Sequence, residues 1–270
     1  MKETISVSRT HEVLSLITGI SFTNVPSWYG ATRRDLKMDL IVPKIREGHR
    51  PLPVIIWICG GAYMVVDHSV WIPEMLRFAR AGYVIASIEY RTSNEAQFPA
   101  ALEDCQAAVR FLKEHAGDYA IDPEHIFVMG ESAGGTMASL VGLTLPQDIS
   151  GVVDFYGLSD LTGFTALAPG NPAVPDWTVK AFLGAAYTEE DARKASAVHL
   201  VTPEAPPFLI LHGTEDALVP IAQSEALYEK LLANGVRADF LAVTGANHGD
   251  DLLYQNDVID RILDFLNSCL

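Results

Sequence analysis

The chain has 270 residues, 49% of them hydrophobic and 20% charged, with a net charge of −15. That length sustains one large α/β core without division, and the composition excludes a disordered chain. The acidic balance excludes a nucleic-acid binder, which needs a basic footprint to neutralise phosphates, and disfavours anionic membranes. Neutral or cationic small molecules are the partners it favours.

From the start, Glu3, Ser6, Ser8, Arg9, His11 and Glu12 interrupt any apolar run, so no signal-peptide pattern is legible and a cytoplasmic protein is expected. No stretch approaches the roughly 18 apolar residues of a membrane span. The alternating Leu36–Val42 and the continuous apolar Val54–Ile58 predict early strands. A helix over about Trp71–Arg80 leads to a strand over Tyr83–Ile88. Pro99 opens an amphipathic helix to about His115, with Ala100, Cys105, Ala108, Val109 and Leu112 at helical spacing. Then come a strand at Ile126–Met129, a helix from about Ala133, and strands at Gly151–Phe155, Phe208–Leu211 and Ala238–Val243. A last helix over about Asp250–Leu266 follows. Strands alternating with helices predict a mostly parallel sheet covered on both faces, a single α/β domain over 1–270. Residues 158–207 break the rhythm: rich in Ala, Pro and Gly and without a clear strand, they read as a cap insertion over the site mouth or as extra surface helices. The three cysteines, Cys59, Cys105 and Cys269, have neither metal-ligand nor disulfide spacing, so no metal and no cofactor is expected.

Gly130-Glu131-Ser132-Ala133-Gly134 stands between a strand and a helix, the context of a G-x-S-x-G nucleophile elbow. A sharp turn there strains the serine backbone and lifts its hydroxyl clear of the sheet, and bulk at Gly130 or Gly134 would collide with neighbouring strand and helix. The bland alternative, a serine capping a helix, fits the residue but not its flanks. A serine hydroxyl needs a base. Asp216 follows a predicted strand and the turn-forming Gly213, and His248 follows the next strand in the small-residue loop Thr244–Gly249. The order Ser132, Asp216, His248 is that of an α/β-hydrolase triad, each partner just after a strand. His212 competes for the base but reads as a structural hydrogen-bonding residue. Asp250 and Asp251 read as helix-start residues, and Asp154 and Asp160 stand as substitute carboxylates.

The apolar strand running into Cys59-Gly60-Gly61-Ala62-Tyr63 lets backbone amides approach a substrate. Together with Ile88–Arg91, Phe98–Asp104, Gly130–Gly135, Val153–Asp160 and Leu211–Asp216, this loop resembles α/β-hydrolase esterases of the hormone-sensitive-lipase-like group, in particular the acetylxylan/feruloyl-esterase-like branch. The resemblance implies an α/β-hydrolase fold and an oxyanion hole from the amides of Gly61, Ala62 and Ala133. Two departures stand out: Cys59 replaces the structural His of the H-G-G-G loop, and Ala62 replaces its third Gly. It also implies a small-molecule ester substrate with a short acyl or hydroxycinnamoyl group, on plant-type carbohydrates among others. Tyr63, His68 and Tyr156 are the candidate substrate contacts, with Trp71, Phe164 and Trp177 as further aromatic walls or ordinary core. Hydrolysis is expected to fade below about pH 6 as His248 takes a proton. The alternatives are an amide hydrolase, kynurenine-formamidase-like or acyl-peptide-hydrolase-like, and a non-catalytic ligand receptor, which usually lacks the serine or the histidine. Composition leaves the chain's state as monomer or homodimer open.

Overall fold

Every residue of Val54–Ile58 is shut off from solvent, as expected of a strand packed on both faces. In the computed structural model, which describes residues 1–8, 10–44, 48, 50–162 and 176–270 (side chains of 176–177 aside), this run lies inside an eight-stranded sheet. The strands are β1 (Leu14–Ser27), β2 (Thr32–Pro43), β3 (Leu52–Ile58), β4 (Val84–Ile88), β5 (Ile121–Glu131), β6 (Gly151–Phe155), β7 (Phe208–Gly213) and β8 (Ala238–Val243). Their order is β1-β2-β4-β3-β5-β6-β7-β8. β2 runs antiparallel to both β1 and β4, and the remaining pairs are parallel.

Alternate residues of each strand point to opposite faces, so the sheet splits the interior in two. Val54, Ile56 and Ile58 face one core with α2 (Ala100–Glu114), α4 (Ala133–Thr144) and α8 (Ala222–Ala233). Ile55 and Trp57 face the other, with α1 (Ile72–Arg80) and α9 (Asn256–Asn267). The short α3 (Ala116–Tyr119) leads into β5. Among the described residues, no helix is long and apolar enough to cross a membrane.

The predicted strands and helices all form, with two differences. The closing helix is in two pieces: a 3₁₀ turn over Asp251–Tyr254, capped by the Asp250 carboxylate, then α9 after Gln255 in extended backbone. β1 and α8 are additional elements. Of the irregular 158–207 segment, residues 163–175, including Phe164, lie outside the described residues, as does the Trp177 side chain. What is described forms three helices, α5 (Asp176–Leu183), α6 (Glu189–Lys194) and α7 (Ala197–Leu200). α5 lies against the loop after β3, where Phe182 stacks on Tyr63 with ring centroids 4.0 Å apart.

Candidate active site

The strands β3, β5, β7 and β8 deliver four loops to one end of the sheet, their carboxyl edge, where open α/β sheets bind ligands. β5 ends at Glu131 and α4 begins at Ala133, so the chain reverses within one residue. Ser132 therefore takes φ 55° and ψ −121°, a costly conformation for a residue with a Cβ, held by its amide donating to the Phe155 carbonyl at 2.8 Å. The crossing has no space for larger neighbours. A Cβ on Gly130 would stand 2.4 Å from the Gly134 carbonyl oxygen, and one on Gly134 would stand 1.9 Å from that of Ile58.

The loop after β8 carries His248 to this serine. Its Nε2 lies 2.9 Å from Ser132 Oγ and its Nδ1 2.7 Å from Asp216 Oδ2. Asn247 braces both loops, its Oδ1 accepting from the amides of Ala217 and His248. Asp216 has no exposed side-chain surface; its Oδ1 accepts from the amides of Leu218 and Val219, each at 2.8 Å.

Asp216 also meets a second imidazole. His212 Nε2 lies 2.9 Å from the Val219 carbonyl and 3.3 Å from Asp216 Oδ2. A carbonyl only accepts, so the His212 proton sits on Nε2, while Nδ1 accepts from the Ser224 hydroxyl at 2.7 Å. Burial opposes ionisation of Asp216, but hydrogen bonds from His212 and then His248 outweigh it and hold the carboxyl well below the usual carboxylate range. An ionised Asp216 fixes the His248 tautomer, leaving Nε2 free to accept the serine proton.

Facing the serine, Gly61, Ala62 and Tyr63 all have positive φ, at 130°, 52° and 62°, curling the loop so tightly that a Cβ on Gly61 would stand 2.0 Å from the Val65 carbonyl oxygen. Among the described residues, no loop or side-chain hydrogen bond takes the amides of Gly61, Ala62 or Ala133. Ala62, Tyr63, Ser132 and Ala133 line a cleft with Leu158, Thr178, Leu218 and Val219.

The three candidate substrate contacts fall in different places. Tyr63 lines the cleft, its hydroxyl donating to Thr136 Oγ1 at 3.0 Å. Tyr156 is buried behind the base: its ring meets the His248 imidazole edge-on at 4.7 Å, and its hydroxyl pairs with that of Tyr254 at 2.9 Å. Trp71 stacks on Tyr254 in the same layer. The His68 imidazole lies 3.5 Å from the Asp39 carboxylate and 3.9 Å from that of Glu89, and it is not among the residues given above for the cleft.

Cys59 is a buried thiol pushed up to about 12, by burial first and then by the nearby Glu131 carboxylate, and stays protonated. Asp154 is occupied by the Ser139 hydroxyl and the Gly157 amide, and Asp160 accepts from the amide and hydroxyl of Thr162. Among the described residues, no cluster of three or more His, Cys, Asp or Glu could hold a metal ion. Three participants carry no local sequence signal: the His212 contact with Asp216, the Asn247 brace, and Glu131, whose Oε1 accepts the Gly60 amide at 2.5 Å.

An eight-stranded, mostly parallel sheet with its elbow serine, histidine and aspartate gathered at one edge defines an α/β-hydrolase. Residues 38–231 match the BD-FAE family, and the chain belongs to that family. Among its relatives are Esterase LipC of Mycobacterium tuberculosis, 30% identical over 76% of this chain and 54% of LipC. Esterase LipQ of the same organism is 28% identical over 88% of this chain and 60% of LipQ. The chain thus spans between half and two thirds of the length of these curated relatives. Among solved structures, a truncated carbohydrate esterase from gut microbiota superposes with a TM-score of 0.80 at 24% identity, covering 97% of this chain and 98% of that one. A bacterial heroin esterase does so with a TM-score of 0.76 at 25% identity, covering 97% and 84%.

Proposed function

We propose that the protein is a serine carboxylic-ester hydrolase that cleaves short-chain esters through an acyl-enzyme. The observation that carries this reading is the continuous path from Ser132 Oγ through the His248 imidazole to the Asp216 carboxylate, at 2.9 and 2.7 Å. His248 Nε2 takes the serine proton as Oγ adds to the ester carbonyl. The resulting oxyanion is held by the amides of Gly61, Ala62 and Ala133, where one such donor is typically worth about 3 kcal/mol, or 10²–10³ in rate. Collapse expels the alcohol, which leaves with the proton from His248. Water, deprotonated by the same imidazole, adds to the acyl-enzyme, and the second collapse returns Ser132 and a carboxylic acid.

Leu158, Thr178, Leu218, Val219 and Tyr63 crowd the described part of the cleft beside Ser132, which supports a small acyl group. Acetyl esters, including those on carbohydrates, are the finer proposal, with feruloyl esters as the bulkier alternative. The esterase names of LipC and LipQ agree with ester over amide cleavage.

A fluorophosphonate probe and a p-nitrophenyl ester series of rising chain length test this, run beside acetylated and feruloylated oligosaccharides, N-formylkynurenine and an acyl-peptide anilide. Stoichiometric labelling that disappears in Ser132→Ala, with the acetate ester turned over fastest, is expected. No labelling of the intact protein would overturn the hydrolase reading in favour of a ligand receptor, and preference for either amide would overturn the ester assignment.

A further inference from the structure

Glu131, the residue between Gly130 and the elbow serine, takes no part in the acyl transfer just described, yet it joins the two halves of the oxyanion site. Its Oε1 accepts the Gly60 amide at 2.5 Å. A Cβ added to Gly60 would stand 2.5 and 2.7 Å from the two carboxylate oxygens and 2.7 Å from the Glu131 carbonyl oxygen, so only glycine permits this approach. The next three residues all hold positive φ. Such backbone costs on the order of 1–3 kcal/mol for each residue bearing a Cβ, and persists only where the surroundings fix it. A charge-assisted hydrogen bond from the elbow to the first residue of the curl is such a fixture. Cys59, which precedes Gly60, offers only a protonated thiol.

Burial pushes the Glu131 carboxyl up, opposed first by the hydrogen bond from the Gly60 amide.

We propose that Glu131 is a positioning residue that clamps the Gly60–Ala62 loop to the nucleophile elbow. The proposal deepens the hydrolase reading and rests on it. Two substitutions test the clamp. Glu131→Ala removes the acceptor and the charge together, whereas Glu131→Gln keeps a carbonyl acceptor for the Gly60 amide and removes only the charge.

Steady-state kinetics with p-nitrophenyl acetate at pH 8, with a melting curve for each variant, provide the test. Glu131→Ala is expected to lose at least tenfold in kcat with KM within about twofold, the signature of an interaction made in the transition state. Glu131→Gln is expected to recover most of that loss, because its amide oxygen still accepts from the Gly60 amide. The clamp is overturned if Glu131→Ala keeps kcat within twofold of the wild type, or if Glu131→Gln is impaired as severely as Glu131→Ala. A wild-type protein that neither hydrolyses the ester nor labels at Ser132 refutes the hydrolase reading itself, a result distinct from all of these.

Discussion

Asp216 is the residue on which the geometry of the base depends, and its two oxygens have separate duties. Oδ1 accepts from the amides of Leu218 and Val219, while Oδ2 faces His248 and, at 3.3 Å, His212. In Asp216→Asn the amide oxygen would keep the two backbone donors, which leaves the NH₂ group facing the imidazole. A donor there selects the tautomer whose proton sits on Nε2, and Nε2 can then no longer accept from Ser132. The expected outcome is a fall in kcat of roughly 10³–10⁴ with the fold intact, checked by turnover beside far-UV circular dichroism. Loss of less than tenfold would show that the tautomer is set elsewhere. The sequence made the triad legible because each member follows a strand and is flanked by small or turn-forming residues, a local signal. His212, Asn247 and Glu131 bear on the same chemistry through contacts between separate loops, and no pattern in the chain marks them. His68 shows the converse: its position after the glycine pair suggested the cleft, whereas its imidazole lies beside Asp39 of β2 and Glu89 just after β4.

Among the elements, the β1–β2 hairpin depends on one carboxylate outside it. Glu95 accepts from Arg34 at 2.6 and 3.0 Å, from the Ser27 hydroxyl at 2.8 Å and from the Thr92 amide at 3.1 Å. Burial acts to raise its pKa, but these bonds prevail and pull it down from 4.5 to about 2. A carboxylate whose folded pKa is depressed adds stability at pH values above its unfolded pKa, and that stability is lost as pH falls toward the folded value. Glu95→Gln should therefore lower the melting temperature at pH 7, with the gap to wild type closing as pH falls from about 5 to about 2. Melts across that range check it, and a gap independent of pH would assign the loss to packing. The elements that sequence reasoning passed over have a common cause. β1 buries few of its residues and is interspersed with Ser15, Thr18, Ser21, Thr23 and Ser27, so alternation is faint. α8 buries Gln223 and Ser224 beside Leu227 and Leu231, and Gln223 Oε1 accepts from the amides of Ser159 and Asp160. A polar residue satisfied inside the core erases the apolar stripe that would announce a helix. The central strands, apolar on both faces, suffer neither ambiguity.

For the molecule as a whole, the net charge of −15 acts beyond any single contact. Charge of one sign, summed over a surface, sets up a potential that a dissolved ester meets before it reaches the cleft, and salt screens it with a Debye length of about 10 Å at 0.1 M. Steering of this kind changes the encounter step, so it enters kcat/KM and leaves kcat alone. Three acetate esters of similar size, one cationic, one neutral and one anionic, should therefore respond differently as salt rises from 10 to 300 mM. The cationic ester should lose several-fold in kcat/KM, the anionic one should gain, and the neutral one should stay level. Triad chemistry is common to all three, so a parallel change in every substrate would point to salt acting on the protein's conformation. Flat profiles for both charged esters would mean that the acidic surface lies away from the mouth formed by the loops after β3, β5, β7 and β8.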